Sequence, residues 1–299
     1  MDEPAADADP RTERAWREHR RRVLDIGYRM LGTLADAEDA LQETYARLVR
    51  HGAEGIDDVE GWLVTVAGRV CLDRLRADTV RARYVGPWLP EPLLELPGSE
   101  PDPADRVTLD DTVRIALLAT LELLTPAERL AFVLHDVFGL PFEQVASIAG
   151  RTPAAARKLA SRARATIRED PEPRFEVPDA DARAVAEAFA AACATGDLAG
   201  LMALLDPEVV GEFDSGGRVA GAPQGPLVGA EVVAGVLVRT LAGAGASFAT
   251  VPVNGQPGVV VSLHGRVMAV ICLETDGERV AAIRAIGNPE KLARLDRVR

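Results

Sequence analysis

Apolar residues recur every three to four positions through most of the chain up to about residue 170, the spacing of amphipathic helices. Beyond it the texture changes to short Val-rich runs with turn residues between them. At about 100° per residue, a helix over Asp36–Arg50 places Leu41, Tyr45 and Leu48 on one stripe and Asp36, Asp39 and Glu43 nearly opposite. The next helix, Val59–Asp78, has a core stripe of Val59, Leu63, Val66, Ala67 and Val70, and a second face of Trp62, Thr65, Arg69, Asp73 and Arg76. Leu124–Arg168 reads as a helix-turn-helix unit. Thr125-Pro126 starts a helix that runs to about Phe138, where Gly139 ends it; Phe142–Ala149 follows and Gly150 closes it; Thr152-Pro153 starts the last helix, Ala154–Arg168. In the final third, helices over Ala180–Thr195, Leu198–Leu205 and Ala230–Leu241 precede strands over Ser247–Val253, Gly258–Leu263, Arg266–Leu273 and Arg279–Ile286. Asn254-Gly255, His264-Gly265 and Asp276-Gly277 supply the turns of a β-meander.

Two Pro-rich stretches divide these regions. Gly86–Pro103 carries Pro87, Pro90, Pro92, Pro97, Pro101 and Pro103, so it reads as an extended linker, and Pro171–Pro178 is a shorter break. The expected organisation is a helical domain at 14–84, a linker at 85–110, a second helical domain at 111–170, a short linker at 171–178 and an α+β domain at 179–299.

Composition narrows the function. The 299 residues are 47% hydrophobic, enough for a folded core, and the formal net charge is -12, which excludes a simple polybasic coat for DNA. The exception is local: Arg151, Arg157, Lys158, Arg162, Arg164 and Arg168 occur with no acid among them. Cys71, Cys193 and Cys272 are far apart, which argues against a disulfide scaffold or a Cys-rich zinc site and fits a reduced cytoplasmic protein. The first residues lack the apolar stretch of a signal peptide, and no run is long enough to span a bilayer.

Three surfaces are candidates for function. The acidic ridge of Asp36, Asp39 and Glu43 is either a solvated face or a docking surface for a basic partner. On the next helix, Trp62, Thr65, Arg69 and Arg76 have the groups that stack on unpaired bases and hold phosphates. The plain alternative makes Trp62 a boundary core residue and pairs Asp73 with Arg69 or Arg76. The last helix of the helix-turn-helix buries Ala156, Leu159, Ala163 and Ile167 and turns small residues outward: Ala154, Ser161 and Ala165. Arg157, Arg164 and Arg168 flank that face on one side, Lys158 and Arg162 on the other. Small side chains admit base edges and the two basic rows reach the phosphate walls of a major groove.

Tyr28-Arg29-Met30-Leu31-Gly32, Asp36-Ala37-Glu38-Asp39, Gln42-Glu43 and Trp62-Leu63 resemble region 2 of extracytoplasmic-function sigma factors of bacterial RNA polymerase. Leu123-Leu124-Thr125-Pro126 and the helix-turn-helix resemble their region 4. Trp88-Leu89-Pro90-Glu91-Pro92, Asp214-Ser215-Gly216-Gly217-Arg218-Val219 and Asn288-Pro289-Glu290-Lys291-Leu292 are similar to the subgroup with a C-terminal SnoaL-like domain, although Ser215 interrupts the glycine run. The resemblance implies two all-α domains followed by an α+β cone, acting as a promoter-specificity factor with no cofactor. It implies that Asp36, Asp39, Gln42 and Glu43 dock on the clamp helices of core RNA polymerase. It implies that Trp62–Arg76 reads and helps melt the −10 promoter element, and that Thr152–Arg168 sits in the −35 major groove. It also implies that the tail regulates in cis through Trp88, Leu89, Pro90, Glu91 and Pro92 of the linker with Asp214, Gly216, Gly217, Arg218, Asn288, Pro289, Lys291 and Leu292, while Leu292 and Leu295 serve as apolar anchors. A small ligand of the tail domain is compatible with this reading and is not identified by the sequence.

The alternatives are an isomerase- or cyclase-type enzyme with a DNA-binding appendage and a ligand-sensing repressor. An enzyme needs a convergent acid/base pair. The tail offers His264 in a tight turn, Asp206, Glu208, Glu212 and Asp214 around a helix-to-strand junction, and Glu274 and Asp276 at a strand end, with no metal-ligand spacing. Neither alternative accounts for the first helical domain.

Overall fold

A computed structural model describes residues 9–78, 81–95, 107–108, 113–169, 177–219, 221–241 and 245–295. Pro97, Pro101 and Pro103 of the expected linker and most of the Pro171–Pro178 break lie outside these residues. The chain forms two compact units: Met1–Asp78 with Glu100–Thr108 and Leu123–Ile167, and Thr79–Ser99 with Leu109–Glu122 and Arg168–Arg299.

The first unit is helical. It contains α1 (Pro10–Leu31), α2 (Leu34–His51), α3 (Val59–Ala77), α5 (Pro126–Ala131), α6 (Phe142–Ala149) and α7 (Pro153–Glu169). Thr33 and Asp58 accept hydrogen bonds from the first turns of α2 and α3, and Thr125 forms a reciprocal capping box with Glu128. Trp16, Val23, Leu48, Leu63 and Ala67 form the core of α1–α3. The expected continuous helix to Phe138 is not continuous. It widens after Ala131 into a π-helical turn, Phe132–Val137, in which the Phe138 amide reaches back to the Val133 carbonyl.

Helix α3 buries more than one stripe. Val64, Gly68, Cys71 and Leu72 are buried as well as Leu63, Ala67 and Val70, whereas Val66 is half-buried. The reason is a second neighbour: a Cβ on Gly68 would lie 3.1 Å from Ile148 Cγ2 and 3.3 Å from Leu134 Cδ1. A polar node ties α1 to α5 and to Thr108. Asp25 accepts from both the amide and the hydroxyl of Thr108 at 2.6 Å, Arg29 donates to the Thr108 carbonyl at 3.1 Å, and Arg129 Nε donates to the Arg29 carbonyl at 3.1 Å. Both arginines are buried, a placement that requires such partners.

The second unit contains α4 (Ile115–Leu121), α8 (Asp179–Thr195), α9 (Leu198–Leu204), α10 (Ala230–Leu241), α11 (Pro289–Leu292) and a sheet ordered β2-β1-β6-β5-β4-β3. Its strands are β1 (Leu205–Asp214), β2 (Leu227–Val228), β3 (Ser247–Val253), β4 (Gln256–Leu263), β5 (Arg266–Thr275) and β6 (Val280–Ile286). The four-strand meander forms as expected, and β1 adds to it in parallel with β6. One sheet face, including Val209, Phe213, Val259, Ile271 and Ile283, packs with Phe189 of α8 and Val233 and Leu237 of α10. The opposite face, with Val253, Val260, Val270 and Ile286, is covered by Leu89, Leu94, Ala119 and Leu292. The segment read as a linker is therefore part of this unit's core.

Among the described residues no helix is long and apolar enough to cross a membrane.

Candidate functional site

The acidic ridge on α2 is uneven. Asp36, Asp39 and Gln42 are exposed, but Glu43 is half-buried and bonded to Arg47 at 2.6 Å and Arg74 at 3.3 Å; Arg74 also lies 3.5 Å from Asp39. On α3, Trp62 is half-buried against the α1–α3 core, its ring 5.4 Å from that of His51. Thr65 bonds back to the Gly61 carbonyl, Arg69 donates to the Ser147 carbonyl, and Arg76 lies 3.7 Å from Asp73.

Helix α7 begins where Gly150 takes a left-handed conformation (φ 65°) and the Thr152 hydroxyl accepts from the Ala155 amide. Ala156, Ala160, Ala163 and Ile167 are buried and Leu159 is half-buried, so the apolar stripe centres slightly to one side of its expected position. Ala154, Ser161 and Ala165 face outward, as do Arg157, Lys158, Arg162 and Arg168, while Arg164 is half-buried. Three of these arginines meet acids from preceding elements: Arg157 and Glu143 at 3.0 Å, Arg164 and Asp136 at 2.7 Å, Arg162 and Glu128 at 3.9 Å.

The densest polar cluster lies in the second unit, where β1 ends. The buried Asp214 carboxylate accepts four hydrogen bonds: from the Tyr84 hydroxyl (2.5 Å), the Leu89 amide (2.9 Å), the Gly216 amide (3.1 Å) and Lys291 Nζ (2.6 Å). Lys291 also donates to the Leu89 carbonyl, and its ammonium lies 3.8 Å from the Trp88 ring centre and 5.0 Å from that of Tyr84. Burial pushes Lys291 down to about 8, against the upward pull of Asp214. Tyr84 moves upward, chiefly through burial and then through its bond to Asp214.

Asn288 donates to the Tyr84 hydroxyl at 2.6 Å and caps α11, which Pro289 begins. Gly216 is required here: its φ is 58°, and a Cβ would lie 2.8 Å from Asn288 Nδ2. Gly217 lies against Val85, Arg218 pairs with Glu290, and Glu91, Pro90 and Pro92 are buried, Glu91 facing Arg294 at 3.9 Å. Leu292 is buried and Leu295 packs beside it. The quoted motif segments thus converge on Asp214.

A second attachment was not foreseen. Asn254, in the β3–β4 turn at φ 51°, accepts from the Leu93 amide through Oδ1 and donates to the Val113 carbonyl through Nδ2, both at 2.8 Å. Its amide donates to the Leu93 carbonyl, the Glu95 amide donates to Pro252, and Leu94 pairs with Val253 as a short extra strand. One asparagine therefore holds two chain segments separated by the rest of the linker.

Among the described residues, the remaining tail acids do not converge on a histidine. His264 is exposed in a hairpin turn at φ 49°. Asp276 accepts from the amides of Glu278 and Arg279, which hold its carboxyl below the usual range. Glu212 and Glu274 both contact Arg284. Among the described residues no group of His, Cys, Asp and Glu is placed to hold a metal ion.

Comparison with known proteins places these features in context. Residues 15–80 match the Sigma-70 region 2 family and residues 114–167 the Sigma-70 region 4 family. The chain is 38% identical over 281 residues to the probable ECF RNA polymerase sigma factor SigI of Mycobacterium tuberculosis, covering 93% of each chain. It is 36% identical over 283 residues to ECF RNA polymerase sigma factor SigJ of the same organism, covering 91% of this chain and 90% of that one. The crystal structure of Mycobacterium tuberculosis SigJ superposes with a TM-score of 0.71 at 33% identity, covering 94% of this chain and 98% of that one.

Proposed function

This chain belongs to the extracytoplasmic-function sigma factors of RNA polymerase, which direct core enzyme to promoters and are not enzymes, and from that premise we propose how its parts divide the work. The α2 ridge of Asp36, Asp39, Gln42 and Glu43 docks on basic clamp helices of the polymerase. The α3 face of Trp62, Thr65, Arg69 and Arg76 engages the −10 element. Helix α7 enters the −35 major groove with Thr152, Ala154 and Ser161 toward base edges. Its basic residues Arg157, Lys158, Arg162, Arg164 and Arg168 contact the phosphate walls. Each reader is weak on an acidic protein; binding to one polymerase joins them and multiplies their affinity through effective concentration. The site of action is the cytoplasm, where the polymerase works.

The SnoaL-like tail regulates in cis by holding the linker. The observation that carries this reading is the double attachment of the linker within the tail's own compact unit, at Asp214 and at Asn254. A small ligand of the tail would act only by binding the docked and released states with different affinity.

Run-off transcription with core polymerase from the promoter upstream of the protein's own gene tests both parts. R157A is expected to lose promoter-specific transcript while retaining polymerase in a pull-down; D39A/E43A is expected to lose the polymerase. D214A is expected to raise transcript by freeing the linker. Loss of polymerase from R157A in the pull-down, or its retention by D39A/E43A, refutes the division of labour, and an unchanged or lowered transcript from folded D214A refutes the restraint.

A further inference from the structure

Half of the basic side chains on and before α7 are already paired with acids. Residues 151–168 contain six basic side chains and no acid, yet the fold brings acids to them from outside that stretch. Glu143, in the first turn of α6, accepts from Arg157 at 3.0 Å, and Asp136, in the π-helical turn, accepts from Arg164 at 2.7 Å. Arg157 and Arg164 are seven positions apart and share one flank of the outward face, so both carboxylates stand along the same prospective phosphate wall. Arg157 is further held over the Phe142 ring, 5.4 Å from its centre, and that ring stacks on His135 with centroids 3.7 Å apart. Among the described residues no ion pair is seen for Arg151, Lys158 or Arg168.

We infer that Glu143 and Asp136 are built-in competitors for DNA phosphate, which hold Arg157 and Arg164 in exchangeable ion pairs and suppress phosphate-driven binding by the free protein. The inference rests on the reading that α7 enters the major groove.

The physics is one of exchange. The Arg157–Glu143 pair is solvent-accessible, with side-chain exposures of 56% and 65%, so it contributes little to folding and opens readily; the Arg164–Asp136 pair, at 36% and 21%, is partly accessible and opens less easily. An unpaired arginine that meets a phosphate displaces a condensed counterion, about 0.9 per phosphate on duplex DNA. A paired arginine gains less, because its abandoned carboxylate must recruit a cation of its own. That carboxylate also stays near the DNA backbone, within the roughly 8 Å screening length of physiological salt. The entropy that drives non-specific binding is thereby reduced along the Arg157–Arg164 flank. Arg151, Lys158 and Arg168 are left as the more available phosphate ligands. A factor of this kind stays off bulk DNA until polymerase supplies the second point of attachment.

The test uses the full chain and a 30-base-pair duplex without a promoter, with anisotropy recorded from low to physiological salt. E143Q/D136N is expected to bind about tenfold more tightly than wild type, about threefold per pair. Its dependence of log K on log salt should be steeper by about 1 to 2. E208Q/E231Q removes the same charge from exposed tail positions and controls for net charge; it is expected to match wild type. E143Q alone, at the more exposed pair, repeats the measurement with minimal disturbance of the fold. Tighter binding with a steeper slope in E143Q and the double variant, and not in the control, supports the inference. Binding no better than the control at any salt overturns it, as does weaker binding, which would make the carboxylates supports for the arginines. R157A in run-off transcription separates the two levels. If it keeps full promoter activity, the groove reading of α7 fails; if it loses activity while E143Q/D136N behaves like the control, only the competition fails.

Discussion

Replacing Asp214 by Asn removes one charge from the most heavily bonded carboxylate in the second unit. The native group accepts from Tyr84, Leu89, Gly216 and Lys291 with no exposed side-chain surface. Each oxygen accepts two of the four bonds, so the NH2 group of an asparagine leaves two donors facing another donor. The larger effect is on Lys291, only 6% exposed, whose ammonium would remain buried beside two aromatic rings without its counter-charge. Breaking a buried pair from one side costs about 3–5 kcal/mol. K291M is expected to cost less, about 1–3 kcal/mol, because Asp214 would keep Tyr84, Leu89 and Gly216 as donors. The double variant D214N/K291M should fall short of the summed losses by about 1–3 kcal/mol, since the two side chains share one interaction. Urea unfolding of the full chain followed by tryptophan fluorescence measures the energies, and limited proteolysis between residues 84 and 95 reports whether the linker is the part released. A loss below about 1 kcal/mol for D214N, or strictly additive single variants, would falsify the account of this cluster.

Two further outcomes follow from the same unit. Lys291 is pushed down to about 8 by burial, below its ordinary 10.5, so between these values the released state carries more bound protons than the docked one. Docking should therefore strengthen as pH rises through that window, by up to about 1.4 kcal/mol per pH unit; protease resistance of the linker should increase from pH 8 to 9.5 in wild type and not in K291M, and a decrease confined to the wild type would contradict the sign. N254G keeps the left-handed turn but removes both side-chain bonds to Leu93 and Val113, at a cost of about 2 kcal/mol; hydrogen exchange at the Leu93 amide should accelerate at least tenfold, and unchanged exchange would mean that Asn254 does not hold the linker.

Periodicity made the helices legible because each faces one core through a regular stripe. It was less complete for α3, where Gly68 permits a second close neighbour and the buried surface widens beyond one stripe. Strand β1 was obscured by Pro207 and by Asp206, Glu208, Glu212 and Asp214, which read as acids around a helix-to-strand junction. In the sheet, Val209, Gly211 and Phe213 alternate toward the helices, and the Pro207 region falls within a register shift against β6. Asn254 was legible only as an Asn-Gly turn, since its side-chain partners lie 161 and 141 positions away. Glu143 and Asp136 lie outside the acid-free stretch of α7, so their pairing with it depended on how α6 and the π-helical turn fold back. Lys291 was legible only through the resemblance carried by Asn288–Leu292, because nothing in its local pattern marks it for burial.

The short pairing of Leu94 with Val253 has a thermodynamic consequence for any activation event. Withdrawal of that segment would bare a strand margin and wet the valine-rich surface sheltered by Leu89 and Leu94, a condition that invites self-association. Departure from the sheet is thus self-limiting in free solution, and a lasting open form needs a new shelter for both the vacated margin and the departing chain. Activation on this scaffold is better described as a hand-over between hosts than as a simple unlocking.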